Sequence, residues 1–278
     1  KITFSFGDLL NHRFIYDELK KFKPNHIIHY GEQPSAPYSM AGRHQAEFTL
    51  RNNVIGNLNL IFGIKKYCPN THIIKLGTMG SYGTPNIDIE EGFLKVSHKG
   101  RKDIMQYPFK PHSFYHCSKS ADSINIYFAC RTWGLRSTDL NQGVVYGVDT
   151  PETILSDTFN TSFHYDHIFG TVINRFLVQA AINQPLTIYG KGEQVRTFLN
   201  INDTLQCIEL AIKNPAKSGE YKVRNQFTET FSINEIARLV LKAAKSIGLN
   251  GNITMFEERK TESIYLNSIL IDAVILLN

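Results

Sequence analysis

The sequence predicts an α/β fold, a doubly wound parallel sheet followed by a smaller C-terminal lobe. Three observations predict it. Short apolar runs of strand length alternate with longer stretches of helical periodicity, the pattern of βαβ units. The runs His26-Ile27-Ile28-His29-Tyr30 and His72-Ile73-Ile74-Lys75-Leu76 lack strict polar alternation, as strands covered on both faces require. The second half changes character, with shorter strands, turn glycines and a strong helix-start signature.

Each element follows from its own residues. His26 to Tyr30 is the first strand. Apolar positions Phe48, Val54, Leu58, Leu60, Ile61 and Ile64 then mark a long helix. His72 to Leu76 is the next strand, Tyr115 to Trp133 a helix and Leu135 to Leu140 a strand. Right-handed crossovers between such strands give a doubly wound sheet. Farther on, Ile168 to Ile182 predicts a helix. Leu186 to Tyr189 and Arg196 to Ile201 predict short strands around Gly190-Lys191-Gly192. Asp203 to Lys213 is helical up to Asn214-Pro215. Ser232-Ile233-Asn234-Glu235 is a capping box that opens a helix to about Ile247, with Gly248 as its stop. The sheet domain is expected over residues 1–165 and the substrate lobe over 166–278, with some segments returning to the main sheet. A dinucleotide-binding sheet normally opens with a strand, a G-x-G-x-x-G turn and a helix. Gly77-Thr78-Met79-Gly80 follows a later strand and has another spacing. The expectation is that roughly the first two βα units are missing ahead of Lys1.

Composition narrows the function classes. The net charge of +5 is spread over the chain, with Lys65-Lys66 and Arg101-Lys102 as isolated pairs, so no nucleic-acid-binding block is expected. The four cysteines form no C-x-x-C pair and share no metal-site spacing with histidine; neither a disulfide framework nor a metal is expected. No apolar run approaches the roughly 18 residues of a membrane span.

The chemistry concentrates in one pattern. Tyr115 and Lys119 are four apart on a predicted helix and share a face. An ammonium near a phenol is expected to stabilise the phenolate and lower the tyrosine pKa from about 10. Such a tyrosine can take a proton from a sugar hydroxyl while hydride leaves for a nicotinamide. Thr78 ends a predicted strand, where active sites of parallel sheets form, and its hydroxyl can bond both substrate and tyrosine. Together they form the Thr-Tyr-Lys arrangement of short-chain dehydrogenases.

Longer stretches carry a more specific resemblance. Gly31-Glu32-Gln33, Ser35 to Met40, Lys75 to Gly80, Tyr82 to Glu91, Thr138 to Gly147 and Asn225 to Glu229 resemble the UDP-sulfoquinovose synthases. These belong to the extended short-chain dehydrogenase and NAD-dependent epimerase family. The similarity runs from about Gly7 to Phe256 and implies a Rossmann-like fold, an NAD cofactor, and UDP-glucose and sulfite as substrates. It further implies a sulfite-donating partner protein and a homodimer. The expected place is the chloroplast stroma in a photosynthetic eukaryote and the cytoplasm in a bacterium.

By this resemblance Thr78, Tyr115 and Lys119 carry oxidation at C4 of the glucose. Met79 sits where related dehydratases use an acid, and His116 is a proton carrier for the C6 hydroxyl. Asp8, Leu9, Tyr30, Gly31, Glu32, Asn53 and Gln142, with Tyr115 and Lys119, are expected to line the cofactor. Gln33, Ser35, Tyr38, Thr78, Asn141, Arg175, Tyr189, Arg196 and Asn225 are expected to line the nucleotide sugar. Pro34 stands where the family usually has Arg, and Ser81 where it has Glu. The family's Glu- and Tyr-rich stretch is only faintly echoed in Glu262 to Asn267, and Ile269 to Asn278 look unrelated. Two other classes fit Thr-Tyr-Lys: another nucleotide-sugar epimerase or dehydratase, and a non-catalytic module that binds a nucleotide sugar.

Overall fold

The computed structural model describes residues 2–256 and 274–277; the echo at 262–267 lies outside them. The chain forms two compact units, each discontinuous in sequence. Lys1–Gln142, Cys207–Asn225 and Ile269–Asn278 make the first, and Gly143–Gln206 with Gln226–Ser268 the second.

The first unit begins with α1 (His12–Phe22), β1 (His26–His29), α2 (Ala36–Met40), α3 (Arg43–Leu50), α4 (Gly56–Tyr67) and β2 (His72–Thr78). The hairpin β3 (Phe93–His98) and β4 (Arg101–Gln106), the long α5 (Phe114–Trp133) and β5 (Arg136–Gln142) follow. The second unit takes β6 (Val144–Tyr146), α6 (Val172–Ala181), β7 (Leu186–Tyr189) and β8 (Val195–Asn200). Helix α7 (Ile201–Lys213) leads back to the first unit and β9 (Tyr221–Gln226). Then come β10 (Glu229–Ser232), α8 (Ile233–Ser246) and β11 (Ile253–Phe256) in the second unit, and β12 (Val274–Leu277) in the first.

The main sheet has the order β12-β1-β2-β5-β9. Strands β1, β2 and β5 are parallel, and β12 runs antiparallel along β1. Side chains alternate across a strand. Ile27 and Ile73 therefore pack on one face with Leu19, Leu60, Ile64 and Ile126 of α1, α4 and α5. Ile28, Ile74 and Leu140 pack on the other with Ile208 and Ala211 of α7. Helices cover both faces, which is why these strands read as continuous apolar runs.

The long helix expected through Ile64 is two α-helices joined by a π-helical turn at Arg51–Ile55. Asn53 on that turn is fully buried and reaches both Gln33 and Ser118. In α5, Ser113 caps the first turn and Gly134, at φ 71°, stops the helix in the left-handed conformation that glycine adopts freely.

In the second unit β8 lies between β10 and β6, and β7 pairs in parallel with β11. Phe176, Leu186, Ile188, Phe198, Ala237 and Val240 form its core. The capping box at Ser232 and Glu235 is complete, as expected from the sequence. The helix expected from Ile168 instead starts at Val172. Asp166 Oδ1 accepts from the Ile168 and Phe169 amides at 2.7 and 2.8 Å, which turns the chain before Thr171 caps the helix. Among the described residues all four cysteines are free, no cluster suits a metal, and no helix is long and apolar enough to cross a membrane.

His72 is fully buried at the amino end of β2, with Nε2 3.0 Å from Thr138 Oγ1. Burial, with His26, Arg136 and Lys222 adding, pushes its pKa from 6.5 down to about 3. The unfolded imidazole takes a proton below 6.5, whereas the folded one resists to about 3. The unfolded state binds more protons in that window, so stability is lost as pH falls through it. His29, pushed to about 4, adds to the same slope. We expect the urea midpoint to fall between about pH 7 and about pH 5, and His72→Gln to make that fall shallower. An equal slope in both proteins would assign the acid sensitivity elsewhere.

Candidate functional site

Parallel strands end where the backbone of each opens toward the next helix, so residues there share one edge. In register, Thr78 at the end of β2 lies opposite Gln142 at the end of β5. Thr78 Oγ1 accepts from the Gly80 amide at 3.1 Å and is also a hydrogen-bond partner of Tyr115. The Tyr115 amide donates to Ser39 Oγ at 3.0 Å, so α2 pins the start of α5 against this edge. Four residues on, Lys119 is buried and donates to Glu32 Oε2 and to the Leu76 carbonyl.

One electrostatic expectation is corrected. The Tyr115 pKa is raised, by burial first and by the Glu32 charge second; Lys75 and the Thr78 hydrogen bond oppose this without prevailing. The Lys119 ammonium is held by Glu32 and the Leu76 carbonyl. Tyr115 therefore holds its proton and faces Thr78 as a phenol.

His116 is anchored separately. Its Nδ1 lies 2.9 Å from Ser113 Oγ, and its ring is 5.0 Å from that of Tyr115. A Cβ at Gly80 would lie 2.2 Å from His116 Nε2, so glycine there lets the imidazole approach the turn Met79–Ser81. Asn141 and Asn225 meet through a residue the sequence did not single out. Asn141 Nδ2 donates to Tyr82 Oη at 3.0 Å, and Tyr82 Oη donates to Asn225 Oδ1 at 2.9 Å. Tyr82 is fully buried, edge-on to Tyr107 at 5.0 Å.

The remaining expected residues fall into groups. Gln33 is buried; its amide donates to Asn53 Oδ1 at 2.7 Å, and its Oε1 accepts from the Ser35 amide at 3.2 Å. Asn53 Nδ2 in turn donates to Gln33 O and Ser118 Oγ. Ser35 caps α2, and Tyr38 stacks edge-on with Phe48 at 6.1 Å. Tyr30 and Gly31 follow β1, where burial raises the Tyr30 pKa. Asp8 is exposed and accepts from the Leu10 amide, while the Leu9 carbonyl accepts from Asn59 Nδ2 at 2.8 Å. Arg175, Tyr189 and Arg196 belong to the second unit. There the Arg175 guanidinium lies 5.8 Å from the Tyr189 ring centroid, and Arg196 is exposed, with Nη1 donating to Val195 O at 2.9 Å.

Parallel strands with Thr, Tyr and Lys gathered at their carboxyl edge define a class, the α/β dinucleotide-binding enzymes of short-chain dehydrogenase type. The family model of the NAD dependent epimerase/dehydratase family matches residues 1–225, and the chain belongs to that family. Within it, the chain is 55% identical over 244 residues to the chloroplastic UDP-sulfoquinovose synthase of Spinacia oleracea, covering 88% of this chain and 51% of that protein. It is 42% identical over 263 residues to the UDP-sulfoquinovose synthase of Sulfolobus acidocaldarius, covering 94% of this chain and 67% of that one. The chain thus spans about half the length of the spinach relative. Among solved structures, the UDP-glucose 4-epimerase of Thermotoga maritima with UDP-glucose superimposes with a TM-score of 0.69 at 19% identity, covering 92% of this chain and 71% of that one. The UDP-glucose 4-epimerase of Thermus thermophilus in complex with NAD gives 0.69 at 20% identity, covering 92% and 72%. Both bear out the Rossmann-like fold.

NAD is the cofactor of this family. The strand-end residues fit its nicotinamide-ribose half. A lysine ammonium has three donors; Glu32 and Leu76 take two, which leaves one for a ribose hydroxyl.

Gly80→Ala should drive the His116 ring off the turn, because backbone on one side and Ser113 on the other leave the imidazole little room. The expected readout is a shift of the His116 imidazole resonances in an NMR spectrum, at a stability cost of about 1–3 kcal/mol for overpacking. Unmoved resonances would show that the ring does not rest on Gly80.

Proposed function

We propose that this chain carries the chemistry of a UDP-sulfoquinovose synthase, forming UDP-6-sulfoquinovose from UDP-glucose and sulfite. The observation that carries the proposal is the Thr78–Tyr115 hydrogen bond at the carboxyl edge of β2, with Lys119 one turn behind. High identity to two enzymes of that name supports the substrate class.

NAD, when bound, supplies the hydride acceptor and donor at C4. Thr78 and Tyr115 hold the C4 hydroxyl between them; Tyr115 first releases its own proton to solvent, and its phenolate then takes the C4 hydroxyl proton and later returns it. A ketone at C4 acidifies the C5 proton; His116 takes that proton and passes it to the departing C6 hydroxyl, so water leaves across C5–C6. Sulfite then adds at C6 as C5 takes a proton back, before C4 is reduced again. Met79 keeps this turn without an acidic side chain. Gln33, Ser35 and Tyr38 line the sugar, and Asn141 and Asn225 act through Tyr82. Arg175, Tyr189 and Arg196 serve the UDP moiety, for which a guanidinium suits the diphosphate because its planar fork binds two oxygens at once. Asp8, Leu9, Tyr30, Gly31, Asn53 and Gln142 serve the cofactor side. Exposed Ile55, Phe62, Ile124 and Phe128 on the π turn, α4 and α5 provide the apolar face for a homodimer. A sulfite-donating protein is the expected partner, since free sulfite is reactive. The spinach relative's name places that protein in the chloroplast.

The test is incubation with NAD, UDP-glucose and sulfite, with products separated by mass. A UDP-linked sulfonated hexose that forms only with sulfite is expected. Tyr115→Phe should lower its rate at least about a hundredfold, the usual scale for a general acid–base group, while UDP-glucose affinity changes little. UDP-galactose or a 4-keto-6-deoxy sugar, formed with or without sulfite, would assign an epimerase or dehydratase instead. Tight UDP-glucose binding with no product would assign a binding module.

A further inference from the structure

Around Lys119, behind the Thr78–Tyr115 edge, lies a buried group of charges to which the proposed chemistry gives no role beyond Lys119 itself. Glu32 and His29 come from β1 and the turn after it, Lys75 from β2, Lys119 and Asp122 from α5, and Asp139 from β5; all six are buried. Two pairs account for four of them. Lys119 donates to Glu32, and Lys75 Nζ lies 3.5 Å from Asp139 Oδ2. Ser123 and Tyr221 also donate to Asp139 Oδ2, each at 2.6 Å. His29 Nε2 lies 3.3 Å from Glu32 Oε1.

Asp122 is the remainder. It follows Lys119 by three residues, so it is one turn along the same face of α5. Asn57 Nδ2 donates to its Oδ1 at 3.2 Å. A side-chain hydrogen bond also joins Asp122 to Glu32. Two carboxyl groups can hydrogen-bond only if one of them carries a proton. Asp122 Oδ2 and Glu32 Oε1 are the oxygens of this pair that have no hydrogen-bond donor among the described residues, as such an arrangement leaves them until that proton is counted.

We propose that Glu32 is the positioning residue for Lys119, and that Glu32 and Asp122 hold a single proton between them behind the Tyr115–Lys119 pair. The charge count agrees. With Asp122 neutral, two ammoniums face two carboxylates; with Asp122 ionised, one buried anion is in excess, and an uncompensated buried charge is strongly unfavourable. Burial and the adjacent Glu32 charge push the Asp122 carboxyl well above the ordinary carboxylate range. Burial works on Glu32 in the same sense, but Lys119, His29 and Lys75 outweigh it and hold Glu32 below its ordinary value. The proton therefore belongs to Asp122, and Glu32 is the anion. His29 is neutral, since burial keeps its pKa near about 4. The group fixes two properties of the site. It holds the ammonium at the Leu76 carbonyl, and the Glu32 charge adds to burial in keeping the proton on Tyr115.

The consequence for catalysis rests on the reading of Tyr115 and Lys119 as the reacting pair, but the shared proton does not. It is tested by infrared spectroscopy on the chain at neutral pH. A protonated buried carboxyl gives a carbonyl stretch above the amide band that shifts in deuterium oxide. That band is expected in the unaltered chain and absent in Asp122→Asn. Asp122→Asn should fold normally, because its amide donates to Glu32 the hydrogen bond that the carboxyl proton makes. Asp122 has a raised folded-state pKa, so its contribution to stability is present below the ordinary carboxylate value and lost as pH rises toward the folded-state value; the variant should lack this loss. For the positioning role, tyrosine labelled at the ring carbon bearing oxygen reports Tyr115, assigned with Tyr115→Phe. Glu32→Gln should lower the Tyr115 titration by at least one pH unit, about a tenfold change in ionisation. Should Glu32→Gln fail to fold, Glu32→Gln with Lys119→Met removes both charges and serves for the same titration. No carboxyl band in the unaltered chain, or a band that persists in Asp122→Asn, overturns the shared proton. A Tyr115 titration unmoved in both Glu32 variants overturns the positioning role. None of these readouts needs turnover, so a wrong assignment of the sugar product would leave them standing.

Discussion

An ammonium cannot be buried without a counter-charge, and this fold buries two of them side by side. The side chain of Lys75 is fully buried and that of Lys119 nearly so. Removing a charge from water costs several kcal/mol, and the cost is recovered only where the opposite charge and further hydrogen bonds are already in place. Here Asp139 arrives on β5 and Glu32 on the turn after β1, on either side of β2, and Ser123, Tyr221 and the Leu76 carbonyl complete the shells. The order β1-β2-β5 is what sets these groups next to each other. A register slip in any of the three would strand a charge, so the same ion pairs that support the site also specify the sheet.

The π turn between α3 and α4 belongs to the same constraint. It carries Asn53 inward, where one amide bridges the Gln33 backbone and Ser118. Gln33 follows Glu32, and Ser118 precedes Lys119. Asn53 thus ties together the backbone positions next to both members of the ion pair. An i→i+5 turn costs helix geometry, and such turns recur at functional sites for this reason.

The sequence displayed the elements whose signals are local. Ile27-Ile28 and Ile73-Ile74 announced two-sided burial, and Ser232 with Glu235 announced a helix start that the structure reproduces in full. Thr78, Tyr115 and Lys119 could be paired because strand ends and helix spacing are periodic properties. What was not legible depends on residues far apart. Glu32 and Lys119 are 87 positions apart, and Asn141 and Tyr82 are 59 apart. Nothing local marks them as partners, so the rule that lysine lowers the pKa of a neighbouring tyrosine left out burial and the Glu32 charge, which raise it. The β3–β4 hairpin was also missed, although a signal existed. Lys99 and Gly100 both have positive φ, at 47° and 75°, as a two-residue turn requires. Lysine at the first position disguised a turn usually written with asparagine or aspartate.

Tyr115 and His116 stand next to each other in sequence but are held by different anchors. Tyr115 is held through Thr78 and Ser39, and its proton is retained because Glu32 and burial disfavour the phenolate. His116 is held through Ser113 on one nitrogen, while the other lies over Gly80. Had both been tied to the same partner, they would serve one substrate oxygen. Separate anchoring keeps the phenol at the Thr78 edge and the imidazole at the Met79–Ser81 turn. A simple 4-epimerisation moves a proton at one carbinol only. A reaction that oxidises one carbinol and expels the hydroxyl of another needs two carriers that do not compete, and the proposed roles of Tyr115 and His116 rest on these separate anchors.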